Sequence, residues 1–313
     1  MSFVARADRG VRYRDGYVTL ADMRLHYVDY GGSGEPVVAL PGLFQNAHAF
    51  DAISHVIPPG RRLVALDMRG RGGSDWAPPD TYSWSWYLRD LQRALTTLNL
   101  TPCALIGTSI GGALAMLHAM ARPSQVTALV MNDSSLDANA AGVARATKRI
   151  GYAPATFASL AEASAWFASH RDGLDRLDDS SRLAWVSHFL TPAPGGGLRF
   201  NCDPALIRRA RLESPDSGPR VAWAHRWAAW ERLERLRMPV LLLRGEMSDV
   251  VPRATAQRMV GALPDARWWE VPGVGHAPTL YEPEALEALR VFFAGLARSP
   301  HVPEIVASLQ ESA

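Results

Sequence analysis

Cysteine is scarce: Cys103 and Cys202 are the only two among 313 residues. Two cysteines so placed give neither a disulfide framework nor a CxxC metal pair. Cys103, at the head of an apolar run, reads as a small buried hydrophobe. Long apolar runs are missing as well. Segments such as Leu100–Ile106 and Val240–Leu243 are strand-sized and broken by Gly, Pro or charge, well short of the ~20 apolar residues that span a bilayer. Nor does charge of one sign accumulate, since 33 basic and 31 acidic residues leave a net +2 with the basic residues scattered. That distribution argues against nucleic acid as a partner. The stretch Met1 to Gly10 lacks the roughly 7–15 apolar residues and small-residue cleavage site of a secretory signal, so a cytoplasmic address is expected. Apolar residues are plentiful, at 48%, alongside 25 Gly, 22 Pro and 10 Trp, enough for one large or two small domains with a sizeable core.

Alternation of apolar and polar residues over Tyr17–Leu20 and Met23–Tyr30 predicts an antiparallel pair. The apolar runs Val37–Leu40, Leu63–Leu66, Cys103–Ile106 and Leu129–Met131 read as buried parallel strands. Helix-sized stretches lie between them, at Tyr82–Leu98 and at Ile110–Ala121, the latter ending before Arg122-Pro123. Such alternation implies an α/β fold. After Asp133 it lapses for about a hundred residues of helical pattern, Ser159–His170, Ser180–Leu190 and Val221–Leu236. Strands resume at Pro239–Arg244 and Ala266–Val271, and Glu282–Leu296 closes the pattern as a helix. The expected organisation is a core over residues 1–134 and 220–298 and a helical cap over 135–219, inserted after the sixth strand. Pro192–Gly197 would be a flexible corner within the cap, and 299–313 a tail.

Cys103-Ala104-Leu105-Ile106-Gly107-Thr108-Ser109-Ile110-Gly111-Gly112 runs from a buried strand through Gly-x-Ser-x-Gly into a helix. A strand that reverses sharply into a helix leaves no room for Cβ atoms beside the turn, hence the glycines. The turn would present Ser109 as a nucleophile, against the plainer reading of a helix-capping serine. A serine hydroxyl needs a base at neutral pH. Of nine histidines, His276 lies on the Gly/Pro loop after the last strand-like run, at the sheet edge where Ser109 would sit. His118, His170, His188, His225 and His301 read as helix or tail residues, with His26 and His48 as lesser candidates.

With these motifs the chain resembles the α/β-hydrolase superfamily, in its lid-bearing serine esterase and lactonase branch, from about Val18 to Leu296. Leu40-Pro41-Gly42-Leu43 is similar to the family's oxyanion loop, with Pro41 where His is usual. Asp67-Met68-Arg69-Gly70-Arg71-Gly72-Gly73-Ser74-Asp75 is similar to its Asp-x-Arg-Gly-x-Gly-x-Ser loop. The resemblance implies a mostly parallel central sheet flanked by helices, and an oxyanion hole from the backbone N–H groups of Leu43 and Ile110. It also implies that Arg69 and Arg71 are architectural. Two residues compete as triad acid. Asp249 matches the position used by most lid-bearing esterases and lactonases and is favoured; Asp133 resembles the position used by a minority, including some lactonases and cofactor-free dioxygenases. Glu246 reads as a structural neighbour. Phe44, Trp166 and Trp185 are candidate substrate contacts, while Trp223, Trp227 and Trp230 recur at helical spacing and suit packing.

The function implied is hydrolysis of a small carboxylic ester or lactone through an acyl-enzyme, with neither metal nor organic cofactor. The expected partner is a small-molecule substrate, with no membrane partner, and a homodimer is left open. Amide, enamide or C–C hydrolysis and perhydrolysis use the same triad. A cofactor-free dioxygenase would use His276 and Asp133 as a base dyad. Epoxide hydrolases and haloalkane dehalogenases need a carboxylate where Ser109 stands.

Overall fold

The computed structural model describes residues 4–5, 10–212 and 223–296, with 4–5, 212 and 223–228 described by backbone alone. Trp223, Trp227, His225, His301, the end of the cap near 219 and the tail at 299–313 therefore lie outside the described side chains or residues.

Nine strands form one sheet: β1 (Val4–Ala5), β2 (Arg12–Thr19), β3 (Arg24–Gly31), β4 (Glu35–Leu40), β5 (Arg61–Leu66), β6 (Cys103–Thr108), β7 (Val126–Asn132), β10 (Val240–Gly245) and β11 (Ala266–Val271), in the order β1-β2-β3-β5-β4-β6-β7-β10-β11. β2, β3 and β5 pair antiparallel, and β5, β4, β6, β7, β10 and β11 run parallel. β6 is buried at all six positions, as a strand covered on both faces must be. Helices α1 (Trp84–Thr97) and α2 (Ile110–Ala121) pack together, α2 also lying on β4, β6 and β7; α8 (Arg253–Ala262) and α9 (Pro283–Leu296) pack on β10 and β11. The α/β-hydrolase architecture read from sequence is the one observed. The chain passes from β4 to β5 on one side and returns to β6 on the other. That reversal creates the crevice beyond the strands' carboxyl ends where ligands of open α/β sheets bind.

The segment between β7 and β10 holds α3 (Ala140–Gly151), α4 (Leu160–His170), α5 (Asp179–Ser187), α6 (Pro204–Leu212) and α7 (Trp223–Glu234). Two details differ from the sequence reading. The short β1 makes the strand before the cap the seventh rather than the sixth. The cap also contains a hairpin, β8 (Leu190–Pro192) with β9 (Leu198–Phe200), and Pro192–Gly197 forms its turn, with Gly196 and Gly197 at φ 94° and 74°. His188 ties cap to core: its ring lies 2.9 Å from the Tyr281 hydroxyl, and its carbonyl accepts from Asn46 Nδ2.

The Asp67–Asp75 loop holds its surroundings together through buried charge. Arg69 is fully buried and grips Asp90 through Nε and Nη2 at 2.6 and 2.8 Å. Asp90→Ala would leave that guanidinium with only the longer, partly exposed contact to Asp22 at 3.5 Å, and loss of one partner of a buried pair costs ~3–5 kcal/mol. Urea denaturation should show a destabilisation of that size, and one below ~1 kcal/mol would contradict it. His26 is structural rather than catalytic, its ring lying 2.8 Å from Asp67 and 2.9 Å from Asp15. Burial alone would lower its pKa, but hydrogen bonds to and the charges of Asp67 and Asp15 outweigh burial and raise it above 6.5. The folded value thus exceeds the unfolded one, so the contribution is complete below pH 6.5 and is lost as pH rises through the folded value. His26→Gln should flatten the decline in thermal stability above pH 6.5; unchanged pH dependence in the variant would refute this.

Candidate active site

Ser109 sits at the turn from β6 into α2 with φ 53° and ψ −116°, outside the usual regions for a residue with a side chain. The turn is closed by its glycines. A Cβ on Gly107 would lie 2.3 Å from the carbonyl oxygen of Gly111, and one on Gly111 would lie 2.1 Å from that of Leu40. The second approach presses the start of α2, whose first amide is that of Ile110, against the end of β4, three residues before the Leu43 amide. Among the described residues neither N–H donates to a protein acceptor. Despite Pro41, the loop after β4 is tightly held. Gly42 N–H donates to Gln45 Oε1 at 2.9 Å, and the Leu43 carbonyl accepts from Arg71 Nε. Arg71 is wholly buried, so both arginines of this loop serve architecture.

Ser109 Oγ and His276 Nε2 are 2.8 Å apart. On the ring's other side, His276 Nδ1 is 2.7 Å from Asp133 Oδ2. Asp133 is 0% exposed and follows β7, with φ 50°. Its backbone N–H donates to the Leu243 carbonyl at 2.7 Å, and Ser248 Oγ donates to Oδ2 at 2.6 Å. A proton on Nδ1 pointing to this carboxylate leaves Nε2 free to accept from Ser109.

The favoured acid, Asp249, is not in this chain of bonds. Its carboxylate accepts from Arg145 Nε of α3 at 2.7 Å, with side chains 40% and 57% exposed. The physical reason is the course of the loop after β10. The Asp249 carbonyl accepts from Asn139 Nδ2 at 2.9 Å, and α3 approaches so closely that a Cβ on Gly142 would lie 2.2 Å from it. Held that way, the loop turns Ser248 inward and Asp249 toward α3. Glu246 accepts from Gly273 N–H at 2.8 Å, bracing the loop that leads to His276.

Phe44 is half-buried against the core beside Leu43. Trp166 and Trp185 belong to the cap's aromatic packing. Trp166 lies 5.9 Å from Phe157 and stacks on His170 at 4.5 Å, and Trp185 lies 4.5 Å from Phe189 and 5.7 Å from Phe167. Trp230 is buried and donates to Asp137 at 3.0 Å. His48 pairs with Asp51 at 2.9 Å, away from Ser109's chain of bonds. The sequence reading did not find Ser248, whose signal was only its place beside Asp249, or Arg171, for which no motif gives a signal.

The family model described as alpha/beta hydrolase fold matches residues 35–283. A 3-hydroxybutyrate-oligomer hydrolase of Cupriavidus necator is 30% identical over 278 residues, 87% of this chain and 93% of the relative. A crystal structure of an alpha/beta hydrolase from Novosphingobium aromaticivorans is 31% identical, with a TM-score of 0.79 over 90% of this chain and 98% of that one. The E-2-(acetamidomethylene)succinate hydrolase structure, at 22% identity and TM-score 0.74 over 90% and 99%, shares the fold.

Proposed function

The chain belongs to the α/β-hydrolase family, and from that premise we propose that it is a serine hydrolase of small carboxylic esters or lactones working through an acyl-enzyme. The observation that carries this reading is the unbroken chain Ser109 Oγ, His276, Asp133, with spacings of 2.8 and 2.7 Å. Ser109 attacks the acyl carbon while His276 Nε2 takes its proton, and the cation so formed is stabilised by Asp133. The Leu43 and Ile110 amides receive the oxyanion. His276 then protonates the departing alkoxide, activates water for attack on the acyl-enzyme and returns the proton to Ser109. The 3-hydroxybutyrate oligomer in the name of the Cupriavidus relative supports an ester over an amide or C–C bond.

Pairing of His276 with Asp133 also suits a second reading, a cofactor-free dioxygenase in which the dyad deprotonates a heteroaromatic substrate and Ser109 only hydrogen-bonds it. Hydrolysis of p-nitrophenyl esters from acetate to octanoate by wild type and Ser109→Ala separates the two. Turnover that vanishes in the variant supports the hydrolase. No turnover in either protein, with oxygen uptake on a heteroaromatic substrate, would replace it with the dioxygenase.

A further inference from the structure

One cap arginine lies beside the residue that follows His276 and has no ion-pair partner among the described residues. Arg171, just beyond α4, donates through Nη2 to the carbonyl of Ala277, the residue after His276. Its guanidinium lies over the Trp185 ring, 4.7 Å from the centroid. Of the five N–H donors of a guanidinium, this is the one engaged among the described residues, and no carboxylate there stands within ion-pair distance. Burial pulls Arg171 down to about 10; Glu282 opposes that shift, the charge of Arg149 adds to it, and Asp133 and Asp172 oppose it more weakly. Three other cap arginines do pair: Arg145 with Asp249, Arg176 with Glu284 and Arg182 with Asp179.

A guanidinium partly withdrawn from water loses hydration, a cost that an anion hydrogen-bonded to it would offset. A structural tether from cap to core accounts for the bond to Ala277 but not for the idle donors. A planar guanidinium backed by an indole, with no protein acceptor among the described residues at its other N–H groups, is suited to a carboxylate.

We propose that Arg171 binds a carboxylate carried by the substrate, so that the favoured esters are those of a carboxylate-bearing acid or alcohol. This rests on the hydrolase reading and narrows its substrate class. Two matched pairs test it. For the acyl side, mono-p-nitrophenyl glutarate is compared with p-nitrophenyl pentanoate; for the alcohol side, the butanoyl ester of 3-hydroxybutanoic acid is compared with that compound's methyl ester. Wild type should favour the free acid in kcat/KM in one pair by ~10–100-fold, the size of a charge-assisted contact. The pair that does so locates the carboxylate. In Arg171→Gln the ratio should collapse toward one, mainly through KM, whatever happens to absolute rates. Preference for the neutral ester in both pairs, or a preference that survives Arg171→Gln, overturns the proposal while leaving the hydrolase standing. Glutarate titrated into Ser109→Ala by calorimetry decides the matter without turnover. Binding lost on adding Arg171→Gln upholds the anion site even if no ester is hydrolysed, in which case the hydrolase reading fails; no binding overturns the site.

Discussion

Ser109→Ala should lower kcat on p-nitrophenyl butanoate by about 10⁶, the loss seen when a triad nucleophile is removed. The size follows from the site's construction. The hydroxyl lies 2.8 Å from His276 Nε2, so its proton moves as the acyl bond forms, and without it the substrate must wait for water that no group has positioned. His276→Ala should be about as damaging, and the double variant little worse than either single one, because the two side chains perform one step. A residual acceleration of ~10³ over water should remain from the Leu43 and Ile110 amides and from binding. Stopped-flow or single-turnover release of p-nitrophenol in wild type, compared with steady-state rates in the variants, measures these losses. Retention of activity within tenfold in Ser109→Ala would remove the covalent mechanism.

Much of this geometry was legible because it is local. Gly107, Ser109 and Gly111 announce the turn by their spacing, and the apolar runs at β4, β6, β7 and β10 announce a covered parallel sheet whose order then brings the loops after them to one edge. Other features depend on contacts that no local pattern records. β2 begins at Arg12, well before the alternation at Tyr17, because Arg14-Asp15-Gly16 is polar yet belongs to the strand; Gly16 lies beneath the ring of Tyr27, where a Cβ would be 2.2 Å away. α3 and α6 pack on each other within the cap, and α3's Ala-, Gly- and Arg-rich sequence has too few large apolar residues for its stripe to stand out. The β8–β9 hairpin is three residues on each side and carries Pro192 within it, which weighs against a strand when read from sequence.

The acid was open for the same reason. Asp133 and Asp249 both follow strands that point to the active edge, and both have the chemistry. The choice between them rests on backbone course: φ 50° at Asp133, the pairing of its N–H with Leu243, and the anchoring of the Asp249 carbonyl to Asn139. No spacing rule encodes that dihedral or those two hydrogen bonds. A like ambiguity hides Arg171, since an arginine in a polar helix-end sequence ordinarily reads as solvated surface.

Asp133→Asn is therefore expected to cost about 10⁴ in kcat, and Asp249→Asn less than threefold. In the first variant an amide replaces the buried acceptor at 2.7 Å from Nδ1. It can present an N–H to the ring, favouring the tautomer whose Nε2 carries the proton and cannot receive one from Ser109. It also lacks the negative charge that stabilises the imidazolium during attack. Ser248, which donates to the same carboxylate oxygen at 2.6 Å, fixes the carboxylate's orientation but contributes no charge, so Ser248→Ala should fall between the other two. Asp249 pairs with Arg145 at the surface, both side chains well exposed, where an ion pair adds at most ~1 kcal/mol to stability and nothing to proton transfer. Folding of each variant, checked by circular dichroism, separates loss of catalysis from loss of structure. A large loss in Asp249→Asn with near-normal rates in Asp133→Asn would mean that the loop after β10 rearranges when substrate binds, delivering Asp249 to His276 in place of Asp133.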